Sequence, residues 1–126
     1  MKKYLWEILV PAQGPLVVAG KAIAAKNAQI PVAYHRLWDL QVMQIAGGLT
    51  IMRTAKGGWA SIHWDDVYIY CEDMIPVRIM GTEKQIIEIA DITARHYRQK
   101  AVMYYKITDN VVIRRYDTTT EPFQPR

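Results

Sequence analysis

Three groupings of residues in this chain could do chemistry. Glu72 and Asp73 stand just ahead of the apolar run Ile75-Pro76-Val77-Arg78-Ile79. A carboxylate at the mouth of a strand can hydrogen-bond a ligand hydroxyl or move a proton. Arg78 lies inside the run, where a guanidinium needs a counter-charge, and Glu72 or a bound anion would serve. His35 and Asp39 are four residues apart in a helical pattern, which puts imidazole and carboxylate on one face. The pair could orient a general base or be a solvated ion pair. His63, Asp65 and Asp66 surround Trp64 and offer nitrogen and oxygen donors. Zinc sites use closer spacing and more His or Cys, so no metal is expected. The single cysteine, Cys71, is followed by two carboxylates that disfavour a thiolate, so a packed thiol is expected rather than a nucleophile.

The elements that must position these residues can be read from periodicity. Tyr4 to Val10 is aromatic and aliphatic and stops at Pro11, as a strand does. Residues 11–31 are punctuated by Pro11, Gly14, Pro15, Gly20 and Pro31 and read as a long loop with a short strand or turn, a length that often serves as a lid. Tyr34, Leu37, Trp38, Val42 and Ile45 recur at helical spacing between Pro31 and Gly47, predicting a helix over 32–46. Leu49–Arg53 and Trp59–His63 read as strands about a Lys56-Gly57-Gly58 turn. Val67–Cys71 and Ile75–Met80 read as strand segments, separate or as one bent strand. Thr82 followed by Gln85 is a capping box, and Ile86, Ile89, Ala90, Thr93 and Tyr97 mark the apolar face of the helix it starts. Ala101–Ile107 and Val111–Arg115 then flank Thr108-Asp109-Asn110, which is hairpin-turn chemistry.

This order predicts an α+β, ferredoxin-like sandwich, mostly antiparallel sheet with two helices on one face. Residues 1–116 form a single domain in this reading, and 117–126 a polar C-terminal tail. Such a sheet leaves one face open, and four tryptophans and eight tyrosines must be accommodated. Tyr68, Tyr70, Tyr104 and Tyr105 are therefore candidate contacts of a homo-oligomer.

Composition narrows the class. A chain of 126 residues with 51% hydrophobic and 22% charged residues can bury its own core and is not a disordered segment. One cysteine precludes an internal disulfide and suits a reducing, cytoplasmic setting. Lys2-Lys3 ahead of apolar residues loosely resembles an export signal, but Glu7, Pro11, Gln13 and Pro15 interrupt it. No apolar run reaches the ~20 residues of a membrane span. The net charge of +4 is compatible with an anion or nucleic acid, yet no run of like charges and no phosphate-binding glycine loop occurs. No cofactor is expected.

The pattern Gly48-Leu49-Thr50, Gly58-Trp59-Ala60, Glu72, strand, helix, then Gln99-Lys100-Ala101-Val102 resembles a loose group of small uncharacterised ferredoxin-like proteins of phages, mobile elements and environmental sequences. The resemblance spans roughly residues 30 to 115. More distantly it resembles the phage S-adenosylmethionine lyases, which implies an oligomer with sites between subunits. In that frame Glu72 would be the catalytic carboxylate and receive ribose hydroxyls. Trp59, Tyr68 or Tyr70 would stack on the adenine or face the sulfonium. Arg78 or Arg98 would hold the methionine carboxylate for intramolecular attack. Arg98 stands where the lyase pattern places a carboxylate. The resemblance thus implies first a homo-oligomeric binding module for a small anionic or nucleotide-like ligand, or for a host protein. A lyase acting on S-adenosylmethionine is the alternative, and a basic nucleic-acid-binding protein the second alternative.

Overall fold

The structure, a computed structural model, describes residues 2–62 and 67–117, and over 55–62 and 67–72 it describes the course of the backbone alone. Alternation in the first strand, β1 (Tyr4–Pro11), sends Trp6, Ile8 and Val10 to one side, where all three are buried. The chain then makes a small hairpin, β2 (Leu16–Val18) and β3 (Lys21–Ala24), before α1 (Val32–Ala46). Gly47, with φ of 84°, ends α1 in the left-handed geometry that glycine adopts without a Cβ clash, and its N–H bonds the Met43 carbonyl. β4 (Thr50–Ile51), β5 (Ala55–Ile62) and the long β6 (Val67–Gly81) follow, then α2 (Glu83–His96) and β7 (Tyr104–Thr108).

β6 organises the sheet. Its second half pairs antiparallel with β1, Ile8 opposite Val77, and with β4 on its other edge. Its first half pairs with β5 from Val67 opposite Ile62 to Met74 opposite Ala55. β7 adds to the free side of β1, giving the order β4-β6-β1-β7. Both helices lie on one face: Trp38 and Val42 of α1 and Ile86 and Ile89 of α2 meet Trp6, Ile8, Val10, Val77 and Ile79 in a single core. The Trp6 indole N–H donates to the Gly81 carbonyl and ties β1 to the end of β6. The capping box at Thr82 is complete, with Gln85 N–H on Thr82 Oγ1 and Thr82 N–H on Gln85 Oε1. The same Gln85 side chain donates to the Ile45 carbonyl and links the two helices.

The fold is the expected ferredoxin-like α+β arrangement; one open alternative, whether Val67 to Met80 is one strand or two, is resolved, and three local expectations are corrected. Gly57 and Gly58 are strand residues of β5, paired with Glu72 and Cys71, rather than a turn. Cross-strand pairing there overrides the low strand propensity of glycine. Val67 to Gly81 is one unbroken strand. Val111–Arg115 forms no strand in the single chain. Finally, residues 11–31 are no open lid. Ala12, Leu16, Ala24 and Ile30 are buried, and the segment closes on itself through Gly14 N–H to the Ala28 carbonyl and Ile30 N–H to the Ala12 carbonyl. Gly14 is obligatory in this closure, because a Cβ would stand 2.4 Å from the Ala25 carbonyl oxygen. Among the expected features, His63, Trp64, Asp65, Asp66 and residues 118–126 of the tail lie outside the described residues. So do the side chains of Trp59, Tyr68, Tyr70, Cys71 and Glu72.

Candidate functional site

Among the described residues, the densest polar constellation lies where the first turns of α1 meet the end of α2. The apolar faces of the two helices pack Trp38 against Thr93, both buried, and the indole N–H donates to Thr93 Oγ1 at 2.9 Å. Thr93 in turn donates to the Ile89 carbonyl. One turn towards the edge, the partners become titratable. Tyr34 OH donates to the His96 carbonyl, and His96 Nε2 donates to the Tyr34 carbonyl at 2.8 Å, a reciprocal pair. The two rings stack with centroids 4.0 Å apart. His35 Nδ1 lies 2.6 Å from the Tyr97 hydroxyl.

Electrostatics fix the proton positions. Burial, and then the nearby His96, hold the His35 imidazole below its usual value, so it is neutral near pH 7. Burial, with Asp39 and Tyr34 adding to it, pushes the Tyr97 phenol well above the usual range, so Tyr97 keeps its proton, and a neutral hydroxyl can either donate to or accept from His35 Nδ1. His96 is also held low, chiefly by burial, with Arg98 acting in the same direction and the Tyr34 carbonyl and Asp39 opposing. Asp39 itself is raised by burial, partly offset by Arg36 and His96. The Tyr34 carbonyl can only accept, so neutral His96 carries its hydrogen on Nε2 and has Nδ1 as a proton acceptor.

This cluster borders an open cavity of about 430 Å³ between the helices, walled by Leu37, Ile92 and Val18 and fringed by Arg95, His96 and Arg98. The cluster can take up protons, but among the described residues no group of three or more His, Cys, Asp or Glu could hold a metal ion. His35 is therefore bonded to Tyr97 in place of the expected Asp39. Sequence reasoning had Tyr34 and Tyr97 as apolar-face residues. It missed their clasp with His35 and His96, whose only signal was two histidines next to those faces.

Of the other expected site residues, Arg78 and Arg98 have described side chains and lie on opposite sides of the sheet. Val77 and Ile79 point into the core, so Arg78 between them is on the opposite, helix-free face. Its carboxylate partner there is Glu7 of β1, with Nε to Oε1 at 3.3 Å. Arg98 lies on the helix side, where its guanidinium donates to the Arg95 carbonyl and caps the end of α2. Within one copy, Arg78 and Arg98 thus face different sides of the sheet. Tyr104 and Tyr105 both sit on β7, half exposed, Tyr104 edge-on to Trp6 and Tyr105 opposite Glu7. Among the described residues no helix is long and apolar enough to cross a membrane.

No protein-family model matches the chain, and no curated protein does. Solved structures do share its fold. The periplasmic divalent cation tolerance protein CutA of Archaeoglobus fulgidus superposes with a TM-score of 0.51 over 93% of this chain and 89% of that one, at 9% identity. The divalent cation tolerance protein of Thermus thermophilus gives 0.52 over 93% and 89%, at 8% identity. CutA1 of the psychrotrophic bacterium Shewanella sp. SIB1 gives 0.54 over 94% and 88%, at 9% identity. These similarities extend over nearly the whole chain and concern the fold. They overturn the expectation of a phage-type binding module, with its lyase and nucleic-acid-binding alternatives: the matching structures carry a different function, divalent cation tolerance.

Proposed function

We propose that this chain works as a homo-oligomer in divalent cation tolerance, the role that names the proteins sharing its fold. The observation that carries self-association is β7. It pairs with β1 alone among the described residues, Tyr104, Tyr105 and Ile107 along it are all exposed, and its one charge, Lys106, lies over the Tyr4 ring at 4.6 Å. An apolar, unpaired edge strand is a template for another chain, and proteins that stay monomeric cover or charge such edges. The cation role is supported by those structural neighbours. The described residues of one copy do not form a cation site, so no step through a bound metal is drawn.

Two measurements test the reading. Light scattering on the eluting purified protein is expected to give a multiple of the 14.5 kDa chain mass, and a monomer at every concentration would overturn self-association. Thermal unfolding with Cu²⁺, Zn²⁺ or Mn²⁺, with and without chelator, is expected to show a chelator-reversible shift with at least one ion. No shift with any of them would overturn the cation role.

A further inference from the structure

The last described stretch of the chain holds a contradiction between its sequence and its surroundings. Val111-Val112-Ile113-Arg114-Arg115-Tyr116 is built of β-branched and aromatic residues with strand preference, and turn-forming Asp109 and Asn110 precede it. Yet it forms no strand. Val112 is 81% exposed, Tyr116 76% and Ile113 60%, so three of the four most exposed large hydrophobic residues among those described fall within these six positions. Beside it, β7 has the opposite deficit, a row of backbone donors and acceptors on the edge away from β1 with no strand on it among the described residues.

The two deficits are complementary. The segment has strand chemistry and no ladder, and β7 has a ladder position and no strand. Filling it within one copy needs a tight reversal at Asp109-Asn110. The chain does not make that reversal into a hairpin, although Asn110 N–H bonds Thr108 Oγ1 there. Between two copies the same pairing needs no reversal. Each copy can extend past Thr108 and lay its strand along the β7 of a neighbouring copy. Main-chain bonds would supply the pairing. The exposed Val112, Ile113 and Tyr116 would meet the exposed Tyr104, Tyr105 and Ile107, so both apolar patches would be covered by one event.

We propose that residues 111–116 form a strand only between copies, added to the free edge of β7 of a second copy of this chain. The inference rests on the self-association reading and names the surface and the segment responsible.

The test uses the full chain. Val112→Asp with Ile113→Asp changes two side chains that are exposed in the single copy, so the fold is expected to survive, which circular dichroism checks. Sedimentation equilibrium is expected to show a dissociation constant raised about tenfold or more. Strand exchange itself is tested in a Cys71→Ser background, by mixing an Ile107→Cys variant with a Val112→Cys variant under oxidising conditions. A mixed disulfide dimer is expected. An oligomer that persists unchanged with Val112→Asp and Ile113→Asp would overturn the exchange and leave self-association standing. So would the absence of a mixed dimer, or a disulfide formed only within a double-cysteine chain at monomer mass. A wild-type chain that is monomeric throughout would overturn both.

Discussion

Arg78 and Glu7 face each other across the β1–β6 ladder on the side of the sheet that carries no helix, Nε to Oε1 at 3.3 Å. The two are unequally buried: the arginine side chain is 43% exposed and the glutamate side chain 11%. The arginine therefore reaches water, while the carboxylate depends on it. The pair is a cross-strand register lock, because a one-residue slip would carry Glu7 to the helix face among Ile8, Val77 and Ile79.

Replacing Arg78 with Met should accordingly cost more than the loss of a surface ion pair. It leaves Glu7 buried and unpaired, for about 1–2 kcal/mol. Glu7→Leu combined with Arg78→Met should recover most of that loss, since two apolar residues leave no unpaired charge. Urea unfolding of the single and double variants measures the difference. An additive double variant would show that the two side chains do not act on each other.

The Trp38 indole has Thr93 Oγ1 as its hydrogen-bond acceptor in the core. Thr93→Val keeps the volume and removes the acceptor, and should destabilise by about 1–3 kcal/mol. Thr93→Ser keeps the acceptor and loses a methyl, at about 1 kcal/mol. If the valine variant were as stable as wild type in urea, the indole would have found another acceptor.

The histidine clasp should make stability depend on pH. His35 and His96 are both held below the ordinary 6.5, so the unfolded chain takes up protons first as pH falls. Their contribution is complete above 6.5 and is lost as pH drops through that value towards the lower folded values. Arg36, Arg95 and Arg98 add positive charge at this corner and Asp39 opposes it. Asp39, held above 3.8, works in a lower window with the opposite sign: its contribution is present below 3.8 and fades as pH rises through its folded value. Unfolding free energy should thus fall as pH drops below 6.5, and His35→Gln with His96→Gln should flatten that fall. An equal slope in the double variant would place the proton uptake elsewhere.

Thr82→Ala removes the acceptor for the Gln85 N–H and opens the capping box, which should cost about 1 kcal/mol. Gln85→Ala should cost more than Thr82→Ala, because it also releases the Ile45 carbonyl of α1. Thermal unfolding orders the two variants, and the reverse order would mean that the link between helices adds nothing.

Both helices were legible in the sequence because their signals are local. The run from Val32 to Ala46 between proline and glycine, and the Thr82–Gln85 box, are each settled within a few residues. β1 and the core half of β6 were legible for the same reason. Gly57 and Gly58 were misread because only their distant partners, Glu72 and Cys71, make them strand residues. The partner of Arg78 was likewise not legible, since Glu7 is adjacent only after β1 and β6 pair. The clasp was missed because His96 and Tyr34 meet through backbone carbonyls, which a sequence pattern does not display. Val111–Arg115 carried every local sign of a strand and forms none in the single chain.

The placement of β1 has a consequence for how the chain comes to be folded. Its neighbours are β6 and β7, and the bond from Trp6 to Gly81 spans 75 residues. During synthesis, then, the apolar strand β1 waits at least until residues 74–81 of β6 have been made. Its Trp6, Ile8 and Val10 are without their native cover through that interval. Ordering by such distant contacts is slow, so the stage most open to wrong partners is the nascent chain, before β6 has arrived.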